Sequence, residues 1–165
     1  MQDFVHLHVH TQYSLLDGQA SVSRLVDKAM KDGMKGIAVT DHGNMFGIKE
    51  FTNYVNKKNS GPKGEIKDLK KRIAGIESGE IECEDKEAEI ADCRAKMAEA
   101  ESKLFKPIVG CEMYVARRTM DKKEGKPDQS GYHLIVLAKN EKGYHNLIKL
   151  VSHAWTRGYY MRPRT

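Results

Sequence analysis

Three histidines alternate with apolar residues near the start of the chain, in the run His6-Leu7-His8-Val9-His10. Residues two apart on a β-strand face the same side, so the three imidazoles would project together. A buried imidazole needs a hydrogen-bond partner, and a metal ion is the simplest partner that several imidazoles can share. The pattern therefore favours a metal site over three separate structural histidines.

Further imidazole and carboxylate groups occur at or near the ends of predicted strands. His42 follows a short apolar run, Glu112 lies within an apolar strand, and His133 begins another apolar run. A carboxylate in so apolar a strand is costly unless it is paired or binds a metal. Asp17 lies in the loop after the first predicted strand. By itself, Asp17 before a glycine would indicate only a turn.

This collection of groups is too large for one tetrahedral metal site. Imidazole and carboxylate ligands suit Zn²⁺, Mn²⁺ or Fe²⁺, and sharing of carboxylates would allow two or more ions. Metals about 3.5–4 Å apart are the usual arrangement for hydrolysis of phosphoesters. Asp41, beside His42, could orient that imidazole from behind, although it could equally be a turn residue that bonds nearby amides.

The elements that must position these groups alternate between strands and helices. Apolar periodicity predicts strands at residues 4–9, 35–40, 107–115 and 131–138, with a polar loop at 117–130. It predicts helices at residues 21–32, 45–57 and 140–155. The alternation indicates an α/β architecture, a parallel sheet with crossovers. In the first strand, Val5, Leu7 and Val9 would face the core.

Residues 60–104 interrupt this alternation. Apolar residues recur there at spacings of three and four in two segments, with Ser78-Gly79 between them. This pattern predicts an antiparallel helical hairpin inserted into a domain made of residues 1–59 and 105–165. We interpret the hairpin as a spacer without a site of its own, and a partner-docking arm is the alternative.

Composition narrows the class of protein. The net charge of +5 combines −3 over residues 60–103 with +8 elsewhere, which is compatible with a phosphate-rich partner. The chain has no apolar run of the length that spans a membrane and no signal-like N-terminus, which predicts a cytoplasmic location. Cys83, Cys93 and Cys111 form no close pair, so they are predicted to be reduced thiols.

The motifs resemble, in order, the first metal-binding motifs of the PHP (polymerase and histidinol phosphatase) superfamily. They are His-Leu-His-Val-His-Thr at 6–11, Thr-Asp-His-Gly at 40–43, Gly-Cys-Glu-Met-Tyr-Val at 110–115, and His133. Residues 4–18, 37–47, 106–112 and 132–147 are similar to the branch at the front of bacterial DNA polymerase III alpha subunits. The resemblance covers nearly all of the chain except 60–103.

The resemblance implies a set of six ligands for divalent metal ions. A complete domain of this family would hold two to three such ions. The ligands it implies are His8, His10, Asp17, His42, Glu112 and His133. His6 is set aside because many family members have an aspartate there. His145 and His153 match no ligand position and are expected at the surface.

The implied fold is part of the PHP-type distorted (β/α)7 barrel. The later ligands of the family, a Cys or His and then an Asp-x-His pair, do not occur in the sequence. The chain is therefore expected to be a fragment with fewer metals, little activity by itself and an open sheet edge that favours self-association.

The implied parent protein is a DNA-directed DNA polymerase that acts in replication. Its PHP domain would be a 3′–5′ proofreading exonuclease or a platform for a separate one. The partners implied are DNA, a proofreading exonuclease and a sliding clamp. Two alternatives are a free-standing PHP phosphatase of the histidinol-phosphatase kind and a non-catalytic, metal-stabilised scaffold.

Overall fold

The computed structural model describes residues 4–165, in which five α-helices accompany a three-stranded and a two-stranded sheet. The helices are α1 (Val22–Lys31), α2 (Ile48–Lys58), α3 (Ser60–Ser78), α4 (Lys86–Ser102) and α5 (Glu141–Thr156). The strands are β1 (Gly36–Val39), β2 (Lys106–Ala116), β3 (Gly131–Leu137), β4 (Tyr159–Tyr160) and β5 (Arg162–Pro163). The predicted mixed α/β class is confirmed, and the (β/α)7 barrel stays a prediction.

Helix α1 illustrates how local sequence sets the element boundaries. Ser21 precedes the helix, and its hydroxyl accepts a hydrogen bond from the backbone N–H of Arg24. After the helix, Gly33 adopts φ +79°, a conformation that most L-residues avoid, and so ends it. Val22 and Val26 lie on the buried face of the helix, four residues apart.

The three-stranded sheet has the order β1-β2-β3 and is mixed in direction. β1 pairs with β2 in parallel, as predicted, but β2 and β3 are antiparallel, so the prediction of a fully parallel sheet is wrong. A parallel return would need a crossover of a dozen or more residues, usually a helix. The connection at 117–130 contains only the short 3₁₀ helix Lys126–Asp128, and the chain turns back along β2.

The predicted strand at 4–9 is also wrong, although this segment does lie beside β1. The backbone N–H groups of Ala38 and Thr40 donate to the carbonyls of His6 and Val9, both at 2.9 Å. The donors are two residues apart, whereas the acceptors are three residues apart, so the two segments do not keep the regular register of a β-ladder. The N–H of Val9 donates to the Thr40 hydroxyl at 2.9 Å instead of to a backbone carbonyl, which interrupts the ladder.

The prediction that Leu7 packs in a core with Val5 and Val9 fails for the same segment. Leu7 is 49% exposed, and Val5 and Val9 are only partly buried. The core instead lies where β2 packs against α5, through Cys111, Met113, Leu147, Val151 and Ala154. The strand carrying Glu112 is thus anchored by its apolar neighbours on the opposite face.

Strand β2 is paired along its β1 side by three separate segments. β1 pairs with residues 106–109. Beyond it, the Glu112 N–H donates to the Asp41 carbonyl at 3.0 Å, and the Gly43 N–H donates to the Glu112 carbonyl at 2.8 Å. Further on, the Thr165 N–H donates to the Tyr114 carbonyl at 2.8 Å. The backbone of Glu112 is therefore held on this side by the loop that follows β1.

Residues 55–105 form a second compact unit. Helices α3 and α4 pack through Ile66, Ile76, Cys93 and Ala100, and Arg72 pairs with Glu89. At the base of this unit, the Asn59 side chain donates to the Phe105 carbonyl at 2.8 Å and accepts from the Phe105 N–H at 2.9 Å. The role of residues 60–104 as an insertion stays a prediction.

Replacing residues 60–104 with a short Gly-Ser linker from Asn59 to Phe105 should leave the first unit folded. The two hydrogen bonds between Asn59 and Phe105 already close the ends of this segment, so a short loop can span them. Near-UV circular dichroism and urea unfolding would measure the outcome.

The variant Ile76→Asp provides the comparison, because it places a charge in the buried side of α3 while leaving the chain length unchanged. It should melt the second unit alone. Loss of the near-UV signal of the first unit in the linker variant would show that residues 60–104 belong to its core.

None of the helices within residues 4–165 combines the length and the apolar character needed to cross a membrane.

Candidate metal centre

Glu112 lies at the middle of a cluster of imidazoles contributed by distant parts of the chain. Its Oε2 atom lies 2.8 Å from Nε2 of His8 and 2.6 Å from Nε2 of His10. Its Oε1 atom contacts Nδ1 of His133, on β3. The two histidines of the first segment are also close to each other, with their Nε2 atoms 3.1 Å apart.

His42 and Asp17 complete the cluster on another side. Nδ1 of His42 lies 3.5 Å from Oε2 of Glu112, and its Nε2 lies 2.9 Å from Oδ2 of Asp17. Asp17 follows a tight turn in which Leu16 has φ +76°, a conformation that costs energy for a residue with a branched side chain. The structure thus brings all six residues of the sequence-derived set together.

The electrostatics of the cluster favour an ionised Glu112. Burial of the Glu112 carboxyl raises its pKa, but hydrogen bonds from His8, His133 and His10 lower it more, to about 2. One carboxylate that faces several imidazoles is therefore negatively charged at neutral pH.

His42 shows how well these residues fit a cation. Its Nδ1 atom is buried and has no hydrogen-bond partner within residues 4–165. Burial lowers the pKa of His42, which favours the neutral ring with a free lone pair. A neutral imidazole nitrogen beside an ionised carboxylate is the donor set that divalent transition metals prefer.

The ligand atoms divide into three overlapping groups. In each group, the candidate atoms all lie within 4.8 Å of one another. The groups are His8, His10 and Glu112; His10, Asp17 and His42; and His42, Glu112 and His133. Each group shares a residue with each of the other two, so up to three ions could occupy one contiguous centre.

Asp41 bonds to the loop before Asp17, and the role suggested for it, orienting the imidazole of His42, stays a prediction. Its fully buried carboxylate accepts from the Thr11 N–H at 2.7 Å, the Thr11 hydroxyl at 2.8 Å and the Ser14 hydroxyl at 2.6 Å. Ser14 in turn accepts from the backbone N–H of His42 at 3.1 Å. Asp41 therefore ties the loop that leads to Asp17 to the backbone of His42, and its three bonds do not run to an imidazole.

Sequence reasoning missed Thr11, Ser14 and Tyr114. Thr11 and Ser14 are buried hydroxyls that serve Asp41, and their only signal is that they follow the histidine run. Tyr114 lies two residues after Glu112 on β2, and its ring stacks on His42 with centroids 5.8 Å apart. Its period-two spacing from Glu112 is a signal that could have been used.

Other candidate groups lie outside the cluster. His145 and His153 are exposed on α5. His6 is exposed and packs edge-on against Phe4, at 4.7 Å between ring centroids. Cys111 is buried, and burial raises the pKa of its thiol to about 12, so it is protonated at neutral pH.

Comparison with known families agrees with this geometry. The family model described as PHP domain matches residues 6–165. The chain belongs to the PHP domain family. The resemblance found from the motifs is therefore confirmed, and it extends over the segment 60–103 that the motifs did not cover.

The relatives of this PHP domain are much longer proteins. It is 40% identical to a DNA polymerase III subunit alpha of Borreliella burgdorferi and 39% identical to that of Treponema pallidum. It is 32% identical to that of Aquifex aeolicus. In these comparisons 98–99% of the chain is covered, but the chain spans only about a tenth of the length of each relative.

Proposed function

We propose that the chain is the PHP part of a bacterial DNA polymerase III alpha subunit and that its six-residue cluster is a multi-metal phosphoesterase centre. The observation that carries this proposal is the position of Glu112, within reach of four imidazoles from three separate segments. One ionised carboxylate surrounded by imidazoles is the kind of donor set that would hold divalent transition metals.

The ligands we propose are His8, His10, Asp17, His42, Glu112 and His133. Bound divalent ions would supply an activated water and neutralise charge on a phosphoester. The protein contributes the geometry. Glu112 is held by the backbone of the loop after β1, and Asp41 holds the loop before Asp17 through Thr11 and Ser14. Zn²⁺, Mn²⁺ and Fe²⁺ all suit these ligands.

The wider role we propose follows the names of the relatives. All three are DNA polymerase III alpha subunits, so the proposed parent is a DNA-directed DNA polymerase of replication. Its proposed partners are DNA, a proofreading exonuclease and a sliding clamp. Within it, the PHP centre would remove 3′-terminal nucleotides, and the alternative is a platform that holds a separate exonuclease. The cytoplasmic location stays a prediction.

Metal content and hydrolysis of a simple phosphodiester together test this proposal. After dialysis against Mn²⁺ or Zn²⁺, the chain should retain bound ions, measured by mass spectrometry of the eluted metal. In the parent polymerase, bis(p-nitrophenyl) phosphate should be hydrolysed, and His8→Ala should lower the rate by about 100-fold or more.

The exposed variant His145→Ala is the matched control, because it removes an imidazole that lies outside the cluster. If the parent polymerase retains metal but does not hydrolyse the phosphodiester, the result would support the alternative role, a surface that holds a separate exonuclease. Equal metal content and equal hydrolysis in His8→Ala and His145→Ala would refute a metal centre at this position.

A further inference from the structure

Three exposed aromatic side chains lie in a row beside the candidate metal centre, with Trp155 in the middle. Phe46 and Trp155 have ring centroids 6.2 Å apart, and Trp155 stacks on Tyr159 at 5.6 Å with an interplanar angle of 19°. The exposed fractions are 66%, 43% and 49% for Phe46, Trp155 and Tyr159. We call these three residues the aromatic platform. Contiguous exposed apolar side chains are typical of binding sites, whereas apolar side chains that are exposed singly are normal on protein surfaces.

The platform is fixed relative to the metal centre. Nε1 of Trp155 donates a hydrogen bond to the carbonyl of Gly43 at 2.7 Å. Gly43 directly follows His42, and its own N–H is bonded to the Glu112 carbonyl. The indole is therefore held one residue away from a candidate metal ligand. A ligand that stacks on the platform would meet a surface that is already organised.

One cleft of about 290 Å³ joins the platform to the centre. It is lined by all three platform residues and also by His42, Asp17 and Arg162. A molecule that stacks on the platform would therefore have its neighbouring groups at the candidate ligands.

Arg162 supplies a cation in the same cleft. Its guanidinium lies 5.8 Å above the ring of Tyr114, which itself stacks on His42. It is exposed and forms no ion pair with an acidic side chain of residues 4–165. An arginine with free donors beside exposed aromatic rings suits a ligand that carries both bases and phosphates.

We propose that the aromatic platform and Arg162 bind the end of a single-stranded nucleic acid and direct a phosphodiester to His42 and Asp17. The proposal rests on the proposed phosphoesterase function and names the residues outside the metal centre that would hold the strand. Bases in a single strand are free to stack on aromatic side chains, whereas paired bases already stack on each other. A small phosphomonoester would make no use of three aromatic rings. A purely apolar partner would offer no acceptor for the Arg162 guanidinium and no polar group for the charged centre.

Trp155 makes this binding directly measurable, since it is the single tryptophan of the chain. Titration of an oligothymidylate of about eight nucleotides, in EDTA so that no metal contributes, should quench the tryptophan fluorescence. Tyr159→Ala and Phe46→Ala should each weaken this binding by about 5- to 150-fold, the range expected for loss of one stacked base, and Arg162→Gln should weaken it through loss of a phosphate contact. Duplex DNA of the same length should bind more weakly.

Tyr132 and Arg117 offer a matched control. The Arg117 guanidinium lies 5.3 Å above the ring of Tyr132, which is exposed and adjoins His133 in sequence but does not line the cleft. Tyr132→Ala and Arg117→Gln should bind the oligonucleotide like the unmodified chain. If the platform variants do the same, or if duplex and single strand quench equally, the proposal is overturned.

The same variants separate this proposal from the phosphoesterase function. In the parent polymerase, hydrolysis of bis(p-nitrophenyl) phosphate tests the metal centre, whereas the oligonucleotide titration in EDTA tests the platform without any bound metal. The platform variants could lose oligonucleotide binding while no protein hydrolyses the phosphodiester. That result would support the aromatic platform as a binding site and overturn the proposed phosphoesterase function.

Discussion

Replacing Glu112 with glutamine should abolish the stabilisation of the chain by divalent metals. Glutamine keeps the size of the side chain but removes the charge that the surrounding imidazoles share. Metal affinity should fall by at least about 100-fold, since changes even to residues behind metal ligands cost 10- to 100-fold. In the unmodified chain, metal at 100 times its Kd should stabilise the fold by about 2.7 kcal/mol.

Thermal unfolding with and without Mn²⁺ or Zn²⁺ measures this effect, and isothermal titration calorimetry measures the affinity. Glu124→Gln is the control, because Glu124 is exposed and forms surface ion pairs with Arg118 and Lys122 at 3.4 and 3.8 Å. If metal raises the Tm of Glu112→Gln as much as it raises the Tm of Glu124→Gln, Glu112 is not a ligand.

Replacing Asp41 with alanine should destabilise the chain by about 3–5 kcal/mol. The substitution leaves the Thr11 N–H and two hydroxyls without their acceptor in a buried place, and hydrogen bonds to a charged group contribute about 1.5–3 kcal/mol each. The loop before Asp17 should also loosen. Urea unfolding at neutral pH gives the change in the free energy of unfolding.

Asp121→Ala is the comparison for this second substitution. Asp121 is an exposed aspartate that pairs with Arg157 at 3.7 Å, and its loss should change the free energy of unfolding by no more than about 0.5 kcal/mol. If Asp41→Ala were equally mild, Thr11 and Ser14 would have to find other partners, and the loop would not depend on Asp41.

Local patterns were enough to place the helices and to identify residues of the cluster around Glu112. The helix at 21–32 was readable because Ser21 caps it and Gly33 ends it, and both act within a few residues. The histidines and Glu112 stood out because imidazoles and a carboxylate in apolar segments require partners. The exclusion of His6 and the inclusion of Asp17 depended on the resemblance to the PHP family.

Features that depend on contacts between residues far apart in the sequence could not be predicted from it. The segment 4–9 alternates like a strand, but the bond from Val9 to the Thr40 hydroxyl, which breaks its pairing, joins residues 31 apart. The antiparallel direction of β3 follows from how the 117–130 connection folds. The aromatic platform joins Phe46 to Trp155 through tertiary packing alone.

The hydrogen bonds between β2 and the loop after β1 limit how far His42 can move away from Glu112. The amide hydrogen of Glu112 is bonded to the Asp41 carbonyl, and the Glu112 carbonyl is bonded to the Gly43 amide. Solvent deuterium can reach the Glu112 amide only when the segment carrying His42 separates from β2. The exchange rate of that one proton therefore reports how often His42 and Glu112 come apart, and a cation that bridges the two residues should slow it.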